Sequence, residues 1–222
     1  MKQKKLAERS AYCIIPALNE EGTIKKVISG AKKHVKGVIV VDDGSCDRTA
    51  AISKKSGAMV VKHSRSMGYA KSIDDGIKFA LKRGIKVVVT LDADGQHDSS
   101  DIPKMLDLIA KGADIATGTR PYRARLAEYV FSWYSKRKLG IPDPLCGLRA
   151  YRADIFRKCR SIERRYSVGT QILFEAKRHG FSIMHGSISL NTRKDSPRFG
   201  NRVFANLKIF FGLLNMALRY GF

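Results

Sequence analysis

Residues 86–97 read KVVVTLDADGQH. Lys86–Leu91 is a solid β-branched and apolar run, and it ends abruptly in Asp92-Ala93-Asp94-Gly95. A strand half exposed to water alternates apolar and polar residues, whereas one covered on both faces reads as a continuous run. This stretch therefore reads as a buried strand with two acids at its C-terminal end. Outward from it the same rhythm recurs. Ala11–Pro16 and Gly37–Val41 are solid runs of the same kind, and Ala58–Lys62 and Asp114–Thr117 are further strands. Between them lie helical stretches at Glu20–Lys33, Thr49–Ser56, Tyr69–Arg83 and Asp101–Lys111. In the first of these, Ile24, Val27, Ile28 and Ala31 recur at i, i+3, i+4 and i+7. Strand and helix in alternation imply an α/β fold with a mostly parallel sheet covered on both faces. Ligands of such sheets bind beyond the C-terminal strand ends, where Asp42, Asp43, Asp92 and Asp94 fall.

After residue 119 the rhythm breaks. Arg120–Lys138 is basic and aromatic, with a helical stretch from Ala127 to Lys138. Asp143–Tyr151 reads as a loop entering a strand, Val168–His179 as an amphipathic helix, Ile183–Leu190 as a strand, and Asn191–Arg202 as a basic loop. Trp133, Phe131 and Tyr134 belong either to the core or to a lipid interface. Fourteen of the twenty residues of 203–222 are apolar, with Lys208, Asn215 and Arg219 beside Gly212 in one narrow stripe. Lys208 and Arg219 interrupt a membrane span. An amphipathic helix lying on a membrane surface fits this pattern, as does a helix packed on protein.

The 222 residues suit one domain with an elaboration. A 44% hydrophobic and 28% charged composition excludes a disordered chain, a collagen and a disulfide-stapled miniprotein. The charge is unusual: 42 Lys and Arg against 20 Asp and Glu give +22, which favours a polyanionic partner. Residues 1–119 hold 21 basic and 14 acidic side chains, and residues 120–222 hold 21 and 6. The acids thus sit in the first half and the excess base in the second. Cys13, Cys46, Cys146 and Cys159 show no metal-like pairing and read as thiols of a reducing compartment. The start, MKQKKLAERS, lacks the apolar core of a signal peptide, so a cytoplasmic location is expected.

Asp92 and Asp94, at i and i+2 on an extended strand end, lie on one face. Two such acids either ligate a hard divalent cation together with substrate phosphates or cap and solvate the turn. Asp42-Asp43-Gly44-Ser45 either receives a base or ribose, with Gly44 allowing close approach, or caps the next helix. No GxGxxG follows the first strand and no GxxxxGK[ST] occurs, which argues against a dinucleotide site and a P-loop. His97 is either a metal ligand or a structural hydrogen-bonding group.

Together PALNEE (16–21), VVDDGSCDRT (40–49), LDADGQH (91–97), GTR (118–120) and DPLCGLRAYR (143–152) resemble family 2 glycosyltransferases. Among these the chain is similar to the polyprenyl-phosphate branch, which includes dolichyl-phosphate mannose and glucose synthases. The resemblance implies a Rossmann-like, nucleotide-sugar-binding glycosyltransferase A fold over 1–202. Its donor half would be 11–119 and its acceptor half 120–202. It implies that Pro16, Ala17, Asn19 and Glu20 line the nucleotide pocket, that Asp43 contacts the base, and that Gly68 belongs to a glycine-bearing segment beside it. Asp92 and Asp94 would hold ribose and diphosphate through Mg²⁺ or Mn²⁺, with Gln96 joining the metal shell. Arg120, Arg123 and Arg125 would meet an acceptor phosphate, helped by Arg149, Arg193 and Lys194.

The expected reaction is an inverting, metal-dependent transfer of a hexose from a nucleotide diphosphate sugar to a polyprenyl or dolichyl phosphate. It would run at the cytoplasmic face of an anionic membrane, with a separate membrane subunit as an alternative dock. In the family an acid often stands where Gln171 stands, and Glu175 lies one turn further on. A phosphate acceptor is already ionised and needs no strong base. A saccharide hydroxyl or another lipid is the alternative acceptor. A nucleic-acid-binding protein is the rival from another class, motivated by +22; the acidic strand ends disfavour it, so nucleic acid is not an expected partner.

Overall fold

The computed structural model describes residues 10–123, 125–159, 170–191, 209–214, 217, 218 and 220. One sheet is built from β1 (Ala11–Ala17), β2 (Gly37–Asp42), β3 (Met59–Lys62), β4 (Val87–Thr90), β5 (Ile115–Thr119), β6 (Arg149–Arg152) and β7 (Ile183–Ser187). Their spatial order is β3-β2-β1-β4-β6-β5-β7. All neighbours run parallel except β6, which is antiparallel to both β4 and β5. From β1 the chain steps outward to β2 and β3, then returns to place β4 on the other side. That reversal opens a crevice at the C-terminal ends of β1 and β4.

The helices are α1 (Ile24–Ala31), α2 (Thr49–Lys55), α3 (Tyr69–Lys82), α4 (Ile102–Ala110), α5 (Leu126–Leu139), α6 (Ile155–Lys158) and α7 (Gln171–Arg178). Successive strand residues face opposite layers, as the solid runs require. Val38, Val40 and Val89 pack with α1 and α4. Ile39, Val41 and Val88 pack with α3, α5 and α7. Each such aliphatic contributes about 1.5–3 kcal/mol when fully buried.

The helix expected from Glu20 begins only at Ile24. Asn19 has φ +51°, and the residues around it bond to the neighbouring strand-end loop instead of to a helix. In α5, Phe131 and Tyr134 are buried whereas Trp133 is 64% exposed, so the aromatic trio divides between core and surface. Leu126, Tyr129 and Val130 are exposed beside Trp133, at i, i+3, i+4 and i+7. The described residues of the tail are helical. Leu213 and Ala217 are buried against the α3–α7 layer, whereas Phe210, Phe211, Leu214 and Leu218 face outward. The Phe174 ring stacks on both Tyr134 and Tyr220, at centroid distances of 5.9 and 5.2 Å. Among the described residues no helix is long and apolar enough to cross a membrane.

Candidate active site

The crevice between β1 and β4 is floored by the turn Asp92–Gln96. Asp92 does not project freely. Its Oδ1 accepts from the Tyr69 hydroxyl at 2.9 Å, and its Oδ2 lies 3.2 Å from His97 Nε2. A Cβ on residue 147 would stand 2.1 Å from Oδ2, so only glycine fits beneath this carboxylate. Burial raises the Asp92 pKa, but the bonds from His97 and Tyr69 and the charge of Arg149 outweigh it and hold the group below the usual carboxylate range. Burial and the Asp92 charge push the Tyr69 phenol well above its ordinary value. Tyr69 was not among the residues expected here. Its only sequence signal is its place at the start of a helix directly after Gly68.

Asp94 Oδ1 accepts from the Gln96 backbone N–H at 3.0 Å, which closes the turn. Thr23 ties this turn to the loop after β1: its hydroxyl lies 2.8 Å from the Ala93 carbonyl and 2.9 Å from Glu20 Oε2. That loop is laced in turn to the segment after β2. Asn19 N–H donates to Ser45 Oγ (2.9 Å), Cys46 N–H to Asn19 Oδ1 (2.9 Å), and Glu20 N–H to Thr49 Oγ1 (2.7 Å). Pro16, Ala17, Asn19, Glu20, Asp92 and Asp94 thus gather around one crevice.

The turn supplies hard oxygen donors, namely the carboxylates of Asp94 and Asp92 and the side-chain amide of Gln96. Among the described residues no group of three His, Cys, Asp or Glu forms a cage by itself. This donor set fits a hard divalent cation whose remaining ligands come from phosphate and water.

Asp43, the acid expected to contact the base, is bonded by its own chain. Its Oδ1 receives His63 Nδ1 (2.7 Å) and the Met67 N–H (2.8 Å), and its Oδ2 receives the Ser66 hydroxyl (2.8 Å) and the Gly68 N–H (2.9 Å). Four donors of the chain itself fill the carboxylate, which therefore clasps the 66–68 segment. Burial raises the Asp43 pKa, but the four bonds prevail and lower it. His63 reaches on to Asp75 Oδ2 at 3.1 Å. Gly44, with φ +79°, turns under the Arg65–Ser66 backbone.

The arginines of the acceptor half are also engaged. Arg120 forks onto Asp143 through Nε (2.7 Å) and Nη2 (3.0 Å), and Nη2 also reaches Glu128 at 3.2 Å. Arg125 shares Glu128 at 3.0 Å. Arg123 donates to Ser132 Oγ at 2.6 Å and to the Pro142 carbonyl. Asp143 and Glu128 are buried, so this is a compact charge network at the lip of the crevice. Arg149 is buried and bonds the carbonyls of Pro144 and Cys146, placing it under the loop and not on the surface. Gln171, also fully buried, opens α7. Arg193 and Lys194 lie outside the described residues.

The family model described as glycosyl transferase family 2 matches residues 12–193. The UDP-N-acetylglucosamine–dolichyl-phosphate N-acetylglucosaminyltransferase of Methanococcus voltae is 28% identical, over 96% of this chain and 98% of its own length. The polyprenol monophosphomannose synthase of Mycolicibacterium smegmatis is 28% identical, over 82% of this chain and 77% of its own. The crystal structure of glucosyl-3-phosphoglycerate synthase from Mycobacterium tuberculosis in complex with Mn²⁺ and UDP-glucose has a TM-score of 0.76 at 19% identity, covering 99% of this chain and 82% of that one. This last likeness is one of fold.

Proposed function

The chain belongs to glycosyl transferase family 2, and from that premise we propose that it moves a hexose-type sugar from a nucleotide diphosphate to a polyprenyl phosphate at a membrane surface, with inversion. The observation that supports this acceptor most directly is the stretch 120–133. Arg120, Arg123 and Arg125 at the crevice lip run straight into the exposed apolar stripe Leu126, Tyr129, Val130 and Trp133. Cations beside an outward-facing apolar helix suit a ligand that is a phosphate at one end and a hydrocarbon at the other. Of the two relatives, one is named for a dolichyl-phosphate acceptor and the other for a polyprenol monophosphomannose product, which supports the same acceptor class.

In this reading Pro16, Ala17, Asn19, Glu20 and Gly44 line the nucleotide pocket, and Asp43 acts through the Gly68 segment that it clasps. Asp92, held by Tyr69 and His97, receives the ribose. Asp92, Asp94 and Gln96 would hold Mg²⁺ or Mn²⁺. The ion, when bound, neutralises charge that develops on the departing diphosphate. Arg120 and Arg125 are held in register by Asp143 and Glu128, and aim the acceptor phosphate at the anomeric carbon. Arg149 positions the 144–146 loop. Gln171 carries no charge, which suits a nucleophile that arrives already ionised.

The test is transfer from a panel of UDP- and GDP-linked sugars, with Mg²⁺ or Mn²⁺, to a polyprenyl phosphate, the free prenol and soluble saccharides. Product is expected from the phosphate alone; equal product from prenol or saccharide overturns the acceptor assignment. Asp94→Asn is expected to lower turnover about 10²–10³-fold, the usual loss when one group that stabilises developing charge is removed.

A further inference from the structure

Residues 63–68 carry the chain from β3 to α3, and the last three of them form the segment that Asp43 clasps. Residues 64–68 are all exposed, so little side-chain packing holds this segment in place. Gly68 stands at the N-cap of α3 with φ +92°. Among the described residues no atom outside its chain neighbours lies within 4 Å of where a Cβ of Gly68 would stand. The shape of this wall therefore depends on the polar bonds to Asp43.

Asp43 is itself held by His63. The ring Nδ1 lies 2.7 Å from Asp43 Oδ1, Nε2 lies 3.1 Å from Asp75 Oδ2, and the side chain is only 10% exposed. The His63 backbone N–H donates to the Asp42 carbonyl at 2.9 Å, which fixes the residue that bears the ring. Asp75, on α3, also receives Lys71 Nζ one turn earlier on the same helix. The charged groups about the ring are thus Asp43 from the segment after β2, and Asp75 with Lys71 from α3. Burial raises both carboxyl groups, but their bonds outweigh it and hold both below the usual carboxylate range. An ionised carboxylate only accepts, so a bond on each side requires an N–H on each ring nitrogen. A neutral ring could donate to one of the two acids and not to both. The first residue of α3, Tyr69, meanwhile bonds Asp92 at 2.9 Å, so this helix is tied to the ends of both β2 and β4.

We propose that His63 is a positioning residue for the donor nucleotide: bridging Asp43 to Asp75, it fixes the 66–68 wall of the pocket against α3 before the nucleotide arrives. This rests on the donor pocket proposed above. Both ring nitrogens are spent on Asp43 and Asp75, so none is left for the sugar or the metal. The effect of the ring therefore falls on nucleotide affinity, through a preformed wall, and not on the transfer step.

The test compares the unaltered chain with His63→Gln, Asp75→Asn and the double variant, by calorimetric titration of UDP and of GDP with Mg²⁺. His63→Gln should bind the nucleotide at least ten-fold more weakly, and Asp75→Asn less severely. The double variant should bind no more weakly than His63→Gln alone, because Asp75 acts through the ring. For the donor sugar selected by the transfer panel, KM should rise with the loss of affinity while kcat stays within about two-fold. Nitrogen NMR of the unaltered chain at about pH 7 should show both His63 ring nitrogens protonated. A lower thermal midpoint with undiminished nucleotide affinity in folded His63→Gln would make the bridge merely structural and overturn the proposal. So would fully additive losses, a neutral ring, or a fall in kcat at unchanged KM. An unaltered chain that binds neither UDP nor GDP would overturn the donor pocket and this assignment together, whereas equal binding by chain and variants overturns this assignment alone.

Discussion

Asp43 accepts four hydrogen bonds from its own chain, whereas the Asp94 carboxylate closes a turn that opens onto the crevice. Both acids were legible as strand-end residues, because a solid apolar run marks where a buried strand stops. Their division of labour was not, since it depends on His63, Ser66, Met67 and Gly68, which are brought beside Asp43 only by the parallel pairing of β2 and β3. Asp43, Asp75 and Asp92 are all held below the usual carboxylate range. In each, burial pushes upward and is outweighed, by His63 and the 66–68 donors, by Lys71 and His63, and by His97 and Tyr69 respectively. Their ionised forms therefore favour the fold at every pH above the unfolded value of about 3.9, and that contribution is lost as pH falls through the lower native values. Urea midpoints measured from pH 7 to pH 2 should drop steeply only below about pH 4. Asp43→Asn should already be about 2–4 kcal/mol less stable at pH 7 and lose less on acidification.

The cysteines give a second residue-scale expectation. Burial pushes the Cys146 thiol up to about 12, with Asp143 adding to the rise, and the Cys159 thiol up to about 11. Cys13 is raised further still by burial. Cys46, exposed, hangs from the loop bonded to Asn19. A maleimide should label Cys46 in the folded protein and spare the other three. Once labelled there, the protein should bind UDP at least ten-fold more weakly; mass spectrometry and calorimetry read the two outcomes. Unchanged UDP affinity after complete labelling would remove the Asn19–Cys46 segment from the donor pocket.

Among the elements, α5 was foreseen as a helix but its orientation was not. Its apolar residues occur all the way round, so periodicity names no buried face. The structure resolves this by giving Phe131, Tyr134 and Leu139 to the core and leaving Leu126, Tyr129, Val130 and Trp133 outside. Substitution should separate the two faces. Leu126→Asp with Trp133→Glu should leave the thermal midpoint unchanged and weaken co-sedimentation with anionic phospholipid vesicles at least ten-fold. Phe131→Ala should cost about 3–5 kcal/mol of stability and leave vesicle binding of the folded molecule intact. Intact vesicle binding in the first variant would take the membrane away from this helix.

For the molecule as a whole, the parallel β3-β2-β1-β4 half was legible because its strands are solid runs separated by periodic helices. The other half was harder to read. β6 is only Arg149–Arg152, two apolar residues between two arginines, and nothing local says that it inserts between β4 and β5. The arginines after β5 were legible as a cationic flank. Their counter-charges were not, because Asp143 lies 23 residues from Arg120 in the chain.

The wedge position of β6 also governs the order of events during synthesis. The ribosome delivers β4 and β5 well before the strand that must separate them, and until it arrives each shows a raw edge that could zip wrongly onto its neighbour or onto another nascent chain. A polypeptide stopped after residue 148 should therefore collect in the insoluble fraction when expressed. A dispersed monomer of that length would mean that those two edges find another way to protect themselves.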